Sequence, residues 1–80
     1  MARLRLFARA REAAGTAEVT SDAPTLGALM AWARTELGAE FAAVLDTSRV
    51  WVNGDEPVAG DETVLTADDE VAVLPPVSGG

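Results

Sequence analysis

The chain has 80 residues, 49% of them hydrophobic, and a formal net charge of −7 from six arginines, no lysine and 13 acids. One small domain with a packed core is expected, and the charge disfavours nucleic acid while favouring a partner with a basic docking face. No Cys, His, Lys or Tyr is present, which excludes disulfides, thiolate metal sites and most of the usual nucleophiles and general bases.

Arg3-Leu4-Arg5-Leu6-Phe7 alternates at the period of a half-buried strand. Leu4 and Leu6 share one face; Arg3, Arg5 and Phe7 share the other, which the arginines mark as wet. Phe7 is then an exposed aromatic that needs a reason. Arg9 to Ala14 predicts a short helical or turn connection closed by Gly15, and Ala17-Glu18-Val19-Thr20 returns as a second strand. Thr25 is the expected N-cap of an amphipathic helix with the stripe Leu26, Leu29, Met30, Ala33 and Leu37, its edge sealed by Trp32. Gly38 is expected to end that helix in a left-handed conformation. Phe41, Val44 and Leu45 fit one or two turns of a further helix.

Arg49-Val50-Trp51-Val52 alternates again and runs into Asn53-Gly54, the strongest turn signal in the chain. Residues 55–65, interrupted by Pro57, Gly60 and Asp61, predict irregular structure or very short strands. Asp68-Asp69-Glu70 predicts a polar turn before a last strand, Val71-Ala72-Val73-Leu74. Pro75, with no amide hydrogen for the ladder, ends it.

This order predicts an α+β domain, a mixed sheet with one main helix packed across its Leu4/Leu6 face. The globule is expected to span residues 1–74 and an extended tail residues 75–80. Strand parity places Phe7, Trp51 and Leu74 on the opposite, open face. There they are either scattered surface residues or, gathered near the root of the tail, a docking patch. No run approaches the roughly 18 apolar residues of a spanning helix, and the first ten residues lack the apolar stretch of a signal peptide. A soluble, cytoplasmic protein with no membrane partner is expected.

Pro75-Pro76 favours a polyproline conformation, and the six residues to Gly80 reach about 20 Å at roughly 3.3–3.6 Å each. That is long enough to enter a partner's active site. Gly79-Gly80 has no side chain to obstruct a narrow channel, and the Ser78 hydroxyl can bond backbone groups within it. With no base nearby, Ser78 is not a credible nucleophile. The terminal carboxylate is the one unhindered reactive group on offer. As a carboxylate it is a poor electrophile; ATP can convert it to an acyl-adenylate, from which a sulfur donor produces a thiocarboxylate.

Leu74-Pro75-Pro76-Val77-Ser78-Gly79-Gly80, after Asp69-Glu70-Val71-Ala72, resembles the terminus of the MoaD/ThiS-type ubiquitin-like sulfur carriers, and within them the molybdopterin synthase small subunits. Phe7-Ala8-Arg9-Ala10-Arg11-Glu12-Ala13-Ala14-Gly15 is similar to the family's F-A-x-x-R-E-x-x-G segment, and Val50-Trp51-Val52-Asn53-Gly54 to its V-x-V-N-G hairpin. The resemblance covers essentially the whole chain. It implies a ubiquitin-like β-grasp fold, with the first and last strands parallel at the sheet centre and a flexible diglycine tail.

It further implies a non-catalytic carrier that binds no cofactor of its own. An adenylyltransferase of the ubiquitin-activating type would use ATP to activate Gly80, and a sulfur donor enzyme would supply the sulfur. The tail would then deliver it to cyclic pyranopterin monophosphate in the large catalytic subunit, within a heterotetramer. Gly80 bears the sulfur on this reading and Gly79 is the second channel residue. Val77, Ser78, Pro76 and Pro75 complete the inserted tail, and Phe7 and Leu74 are apolar contacts at its root; Trp51 is added by strand parity alone. Two features depart from the family: Asp68 replaces the Gly of a D-G-D-E turn, and Asp55 to Gly60 holds Pro57 and no large apolar residue. Carriers for thiazole, tRNA thiolation or cysteine synthesis remain alternatives. So do a ubiquitin-like modifier ligated through Gly80 and a plain interaction domain.

Overall fold

The N-terminal alternation forms strand β1, Ala2–Leu6, burying Ala2, Leu4 and Leu6 and exposing Arg3 and Arg5. The structure, a computed structural model, describes residues 1–76. After β1 come helix α1 (Ala8–Ala14), β2 (Glu18–Ser21), α2 (Leu26–Glu36), α3 (Ala39–Leu45), β3 (Arg49–Val52), a 3-10 turn at Gly60–Glu62, and β4 (Glu70–Leu74). The last strand thus begins one residue earlier than the alternation predicts, because Glu70 pairs with Arg3.

The sheet order is β2-β1-β4-β3. Strand β1 pairs with β2 antiparallel and with β4 parallel, and β3 pairs with β4 antiparallel. First and last strands therefore lie side by side at the centre, as the resemblance implies.

The expected main helix, α2, is joined on the same face by the two shorter helices α1 and α3. Ala10 of α1, Leu26, Leu29 and Ala33 of α2, and Phe41 and Leu45 of α3 pack with Leu4, Leu6, Val71 and Val73 in a single buried cluster. The stripe of α2 behaves as its spacing predicts, with Met30, Leu37 and Trp32 half-buried at its margin. Thr25 is its N-cap, its Oγ1 accepting from the Ala28 amide at 3.2 Å. Gly38 follows α2 at φ +97° but with ψ 171°, so it is extended rather than helical in ψ. It serves also as the N-cap of α3, turning the chain between two helices in a region only glycine readily enters.

The start of α2 is anchored by the irregular segment. The Leu26 amide donates to the Thr63 carbonyl at 2.9 Å and the Leu65 amide to the Pro24 carbonyl at 2.9 Å. This brings the 3-10 turn against Gly27, where an added methyl would sit 2.9 Å from Asp61 Cβ and 3.1 Å from the Asp61 carbonyl oxygen. Neither atom can swing aside without moving backbone. Gly27→Ala is therefore expected to lower stability by about 1 kcal/mol in urea melts, since overpacking of about 1–3 kcal/mol outweighs a helix-propensity gain of about 1. A stabilised variant would show that the turn yields freely.

The Asn53-Gly54 turn has both residues at positive φ, 52° and 84°, as a tight hairpin with the right twist requires. Asn53 does more than turn the chain. Its side-chain Nδ2 donates to Asp69 Oδ1 at 2.8 Å, its Oδ1 accepts from the Glu70 amide at 2.9 Å, and its own amide donates to the Glu70 carbonyl at 2.7 Å. Asp69 Oδ2 in turn accepts from the Thr66 amide at 2.7 Å. Asp68 is not among the residues at positive φ, so its departure from the family's glycine costs this turn nothing in backbone strain.

The Asn53 hydrogen bond, followed by that from Thr66, holds the Asp69 carboxyl below its ordinary value of 3.8. A depressed folded-state pKa stabilises the fold above the unfolded value and loses that contribution as pH falls through the folded one. Urea midpoints of the native chain and of Asp69→Asn are thus expected to converge as pH drops from about 6 to about 2, the gap closing below about pH 4. A gap independent of pH would remove ionised Asp69 from the lock.

Candidate functional site

Parallel pairing of β1 with β4 brings the C-terminal ends of both central strands to the same edge of the molecule. The last paired residues are Leu6 and Val73, so one step on the same register sets Phe7 beside Leu74. Phe7 keeps an extended backbone (φ −121°, ψ 154°), and the chain then turns away through Ala8 at φ +48°. An alanine held there costs on the order of 1 kcal/mol. It makes Phe7 the last residue aligned with the sheet.

The open face carries the side chains that parity assigns to it. Row by row the register aligns Glu18, Arg5, Ala72 and Trp51, then Thr20, Arg3 and Glu70, while Leu74 lies opposite Arg49. Phe7 is 39% and Trp51 37% exposed, and Leu74 is half-buried. All three stand on the uncovered side, in a patch interleaved with arginine. Val58, 104% exposed in the β3–β4 connection, is an apolar side chain that neither parity nor spacing singled out.

On the helical side, Pro75 and Pro76 line a groove of about 440 Å³ with Arg9, Glu12, Ala13, Glu40, Ala43, Val44 and Thr47. The root of the tail thus lies where the open sheet face meets the α1–α3 groove. Val77, Ser78, Gly79 and Gly80 lie outside the described residues. Among the described residues there is no group of His, Cys, Asp or Glu placed to hold a metal, and no helix long and apolar enough to cross a membrane. What is assembled is an exposed surface of apolar side chains and guanidiniums beside a proline exit from the sheet centre.

The sequence model of the ThiS family matches residues 4–80. The chain belongs to the ThiS family. It is also 34% identical to the molybdopterin synthase sulfur carrier subunit of Escherichia coli strain K12, over the full length of both. Among solved structures, small archaeal modifier protein 1 (SAMP1) of Methanosarcina acetivorans matches with a TM-score of 0.85 at 28% identity, covering 99% of this chain and 95% of that one. SAMP1 of Haloferax volcanii matches with a TM-score of 0.79 at 29% identity, over 99% and 98%. The fold of this ThiS-family chain is the ubiquitin-like β-grasp, as the resemblance implied.

Two features of the ThiS-family site were not read from the sequence. Asn53 was seen as a turn residue and not as the bridge to Asp69 and Glu70, because its partners lie 16 and 17 residues away. Arg49 was read only as the first residue of an alternating run; pairing with Leu74 puts it at the tail root.

Proposed function

We propose that this chain is the sulfur carrier of a molybdopterin synthase. A ubiquitin-activating-type adenylyltransferase joins the Gly80 carboxylate to AMP at the expense of ATP, releasing pyrophosphate. Attack by donor sulfur expels AMP and leads to a Gly80 thiocarboxylate. The tail then enters the large catalytic subunit, where the sulfur passes to cyclic pyranopterin monophosphate. The likeness to the E. coli carrier subunit over the full length of both chains carries this reading. A proline exit from the sheet centre and an apolar patch beside it support it. ATP belongs to the activating enzyme on this reading, and the carrier itself needs no cofactor.

The test is intact mass. Incubation with the cognate activating enzyme, ATP and a sulfur source is expected to add about 16 Da, the exchange of oxygen for sulfur on an activated acyl group. No gain would refute the carrier. A second reading, a ubiquitin-like modifier ligated through Gly80, draws on the likeness to SAMP1; isopeptide conjugates to many cellular proteins would favour it. At the docking patch, Phe7→Asp and Leu74→Asp are each expected to weaken large-subunit binding by more than about 1 kcal/mol. Titration calorimetry with unchanged affinity would dismiss the patch.

A further inference from the structure

Charge is divided unequally between the open face of the sheet and the connecting segments. Pairing register sets Arg3, Arg5 and Arg49 on the open face together with only Glu18 and Glu70. The rest of the chain then has three arginines against eleven acids. A molecule of net charge −7 thus carries one cationic face, and the root of the tail lies at its border.

The guanidiniums there are only partly engaged by internal pairing. One carboxylate is shared by two of them: Glu70 Oε2 lies 3.3 Å from Arg3 Nη2 and 3.8 Å from Arg5 Nη1. Arg49, opposite Leu74, makes no ion pair among the described residues. The Arg5 guanidinium also stands 5.8 Å from the centre of the Phe7 ring, within range of a cation–π contact. Exposed Trp and Phe interleaved with Arg is the composition of an interface centre, whereas a solvated face favours Lys and Glu.

We infer that the open sheet face selects a partner surface with an apolar centre and a carboxylate rim, reversing the basic docking face that net charge alone predicts. The inference rests on the carrier reading, in which that partner is the large subunit. Phe7, Trp51 and Leu74 fill the apolar centre while Arg3, Arg5 and Arg49 meet the rim. The acidic connections, with Asp22, Asp55, Glu56, Asp68 and Asp69 at the end of the sheet where β1 and β4 begin, are repelled by the same surface, so the charge division turns the carrier tail-first before contact and raises the productive association rate.

Stopped-flow association of the full chain with its cognate large subunit tests this. Arg49→Glu is expected to slow association at least about tenfold, with Arg49→Gln in between, and added salt is expected to slow the native pair. Glu36→Arg, exposed on α2, is expected to leave the rate within about twofold. If Arg49→Glu associates as fast or faster, or if Glu36→Arg is the slow variant, the inference is wrong while the carrier reading stands. Failure of the native chain to bind the large subunit at all removes both. A concentration-dependent dimer abolished by Arg49→Glu would give the face to a second copy and overturn the inference.

Discussion

A chain whose Gly80 carboxylate is blocked as an amide is expected to gain no sulfur mass and to melt at the same temperature as the native form. The amide nitrogen is a poor nucleophile toward ATP and would be a poor leaving group, so neither adenylation nor thiocarboxylate formation has a starting point. No thiol, imidazole or amine side chain is present to take up sulfur in its place. Deleting Gly80 is a subtler test, because Gly79 then presents a carboxylate just as unhindered. It falls short by one residue, roughly 3.3–3.6 Å, and a misplacement of about 1 Å already costs on the order of a hundredfold. Deletion is therefore expected to reduce sulfur loading about a hundredfold or more. Thermal stability is expected to be unchanged in both variants, since the buried core runs from Ala2 to Val73. A lowered melting temperature would contradict the division of labour between globule and tail; sulfur loading of the amide would end the proposed chemistry.

Phe41→Ala is expected to remove about 3–5 kcal/mol, read as a shift of the urea midpoint at constant slope. Phe41 is fully buried and heads the largest such side chains, with Leu4, Leu29, Val71 and Val73. Both helices beside it depend on the site: α3 contributes the ring, and α1 and α2 pack against α3. At roughly 0.05–0.15 kcal/mol per residue, a domain of this size has about 4–12 kcal/mol in all. The variant is thus expected to be partly unfolded at 37 °C if the native chain lies at the lower end. Trp51→Ala removes a larger side chain from a strand of the same sheet, yet its exposure limits the expected loss to about 1 kcal/mol. If the two variants lost equal stability, the assignment of core and open face would be reversed.

The family itself was legible in the sequence because its signals are local and stacked along one chain. The tail, the Phe7 segment and the Val50 to Gly54 hairpin each carry residues whose spacing survives without knowledge of neighbours. The Asp68 departure, by contrast, needed the backbone: only its φ reveals that no left-handed residue is required there. The docking patch sits between these cases. Parity named its members, but a period of two tells which side of a strand a residue occupies and nothing about what lies beside it.

Local covalent pattern by itself determined the strands, the α2 stripe and its Thr25 cap, and the Asn53-Gly54 turn. Those follow from backbone sterics and side-chain period, which act over a few residues. Tertiary structure alone decided the register of β4 against β1 and β3, that Asn53 holds Asp69, and that Arg49 stands at the tail root. Such pairings join residues tens of positions apart, and their free energy depends on register and on the shape of the shared core. Net charge illustrates the difference: −7 is a sum over the sequence, while the sign met by a docking partner is set by which strands are neighbours.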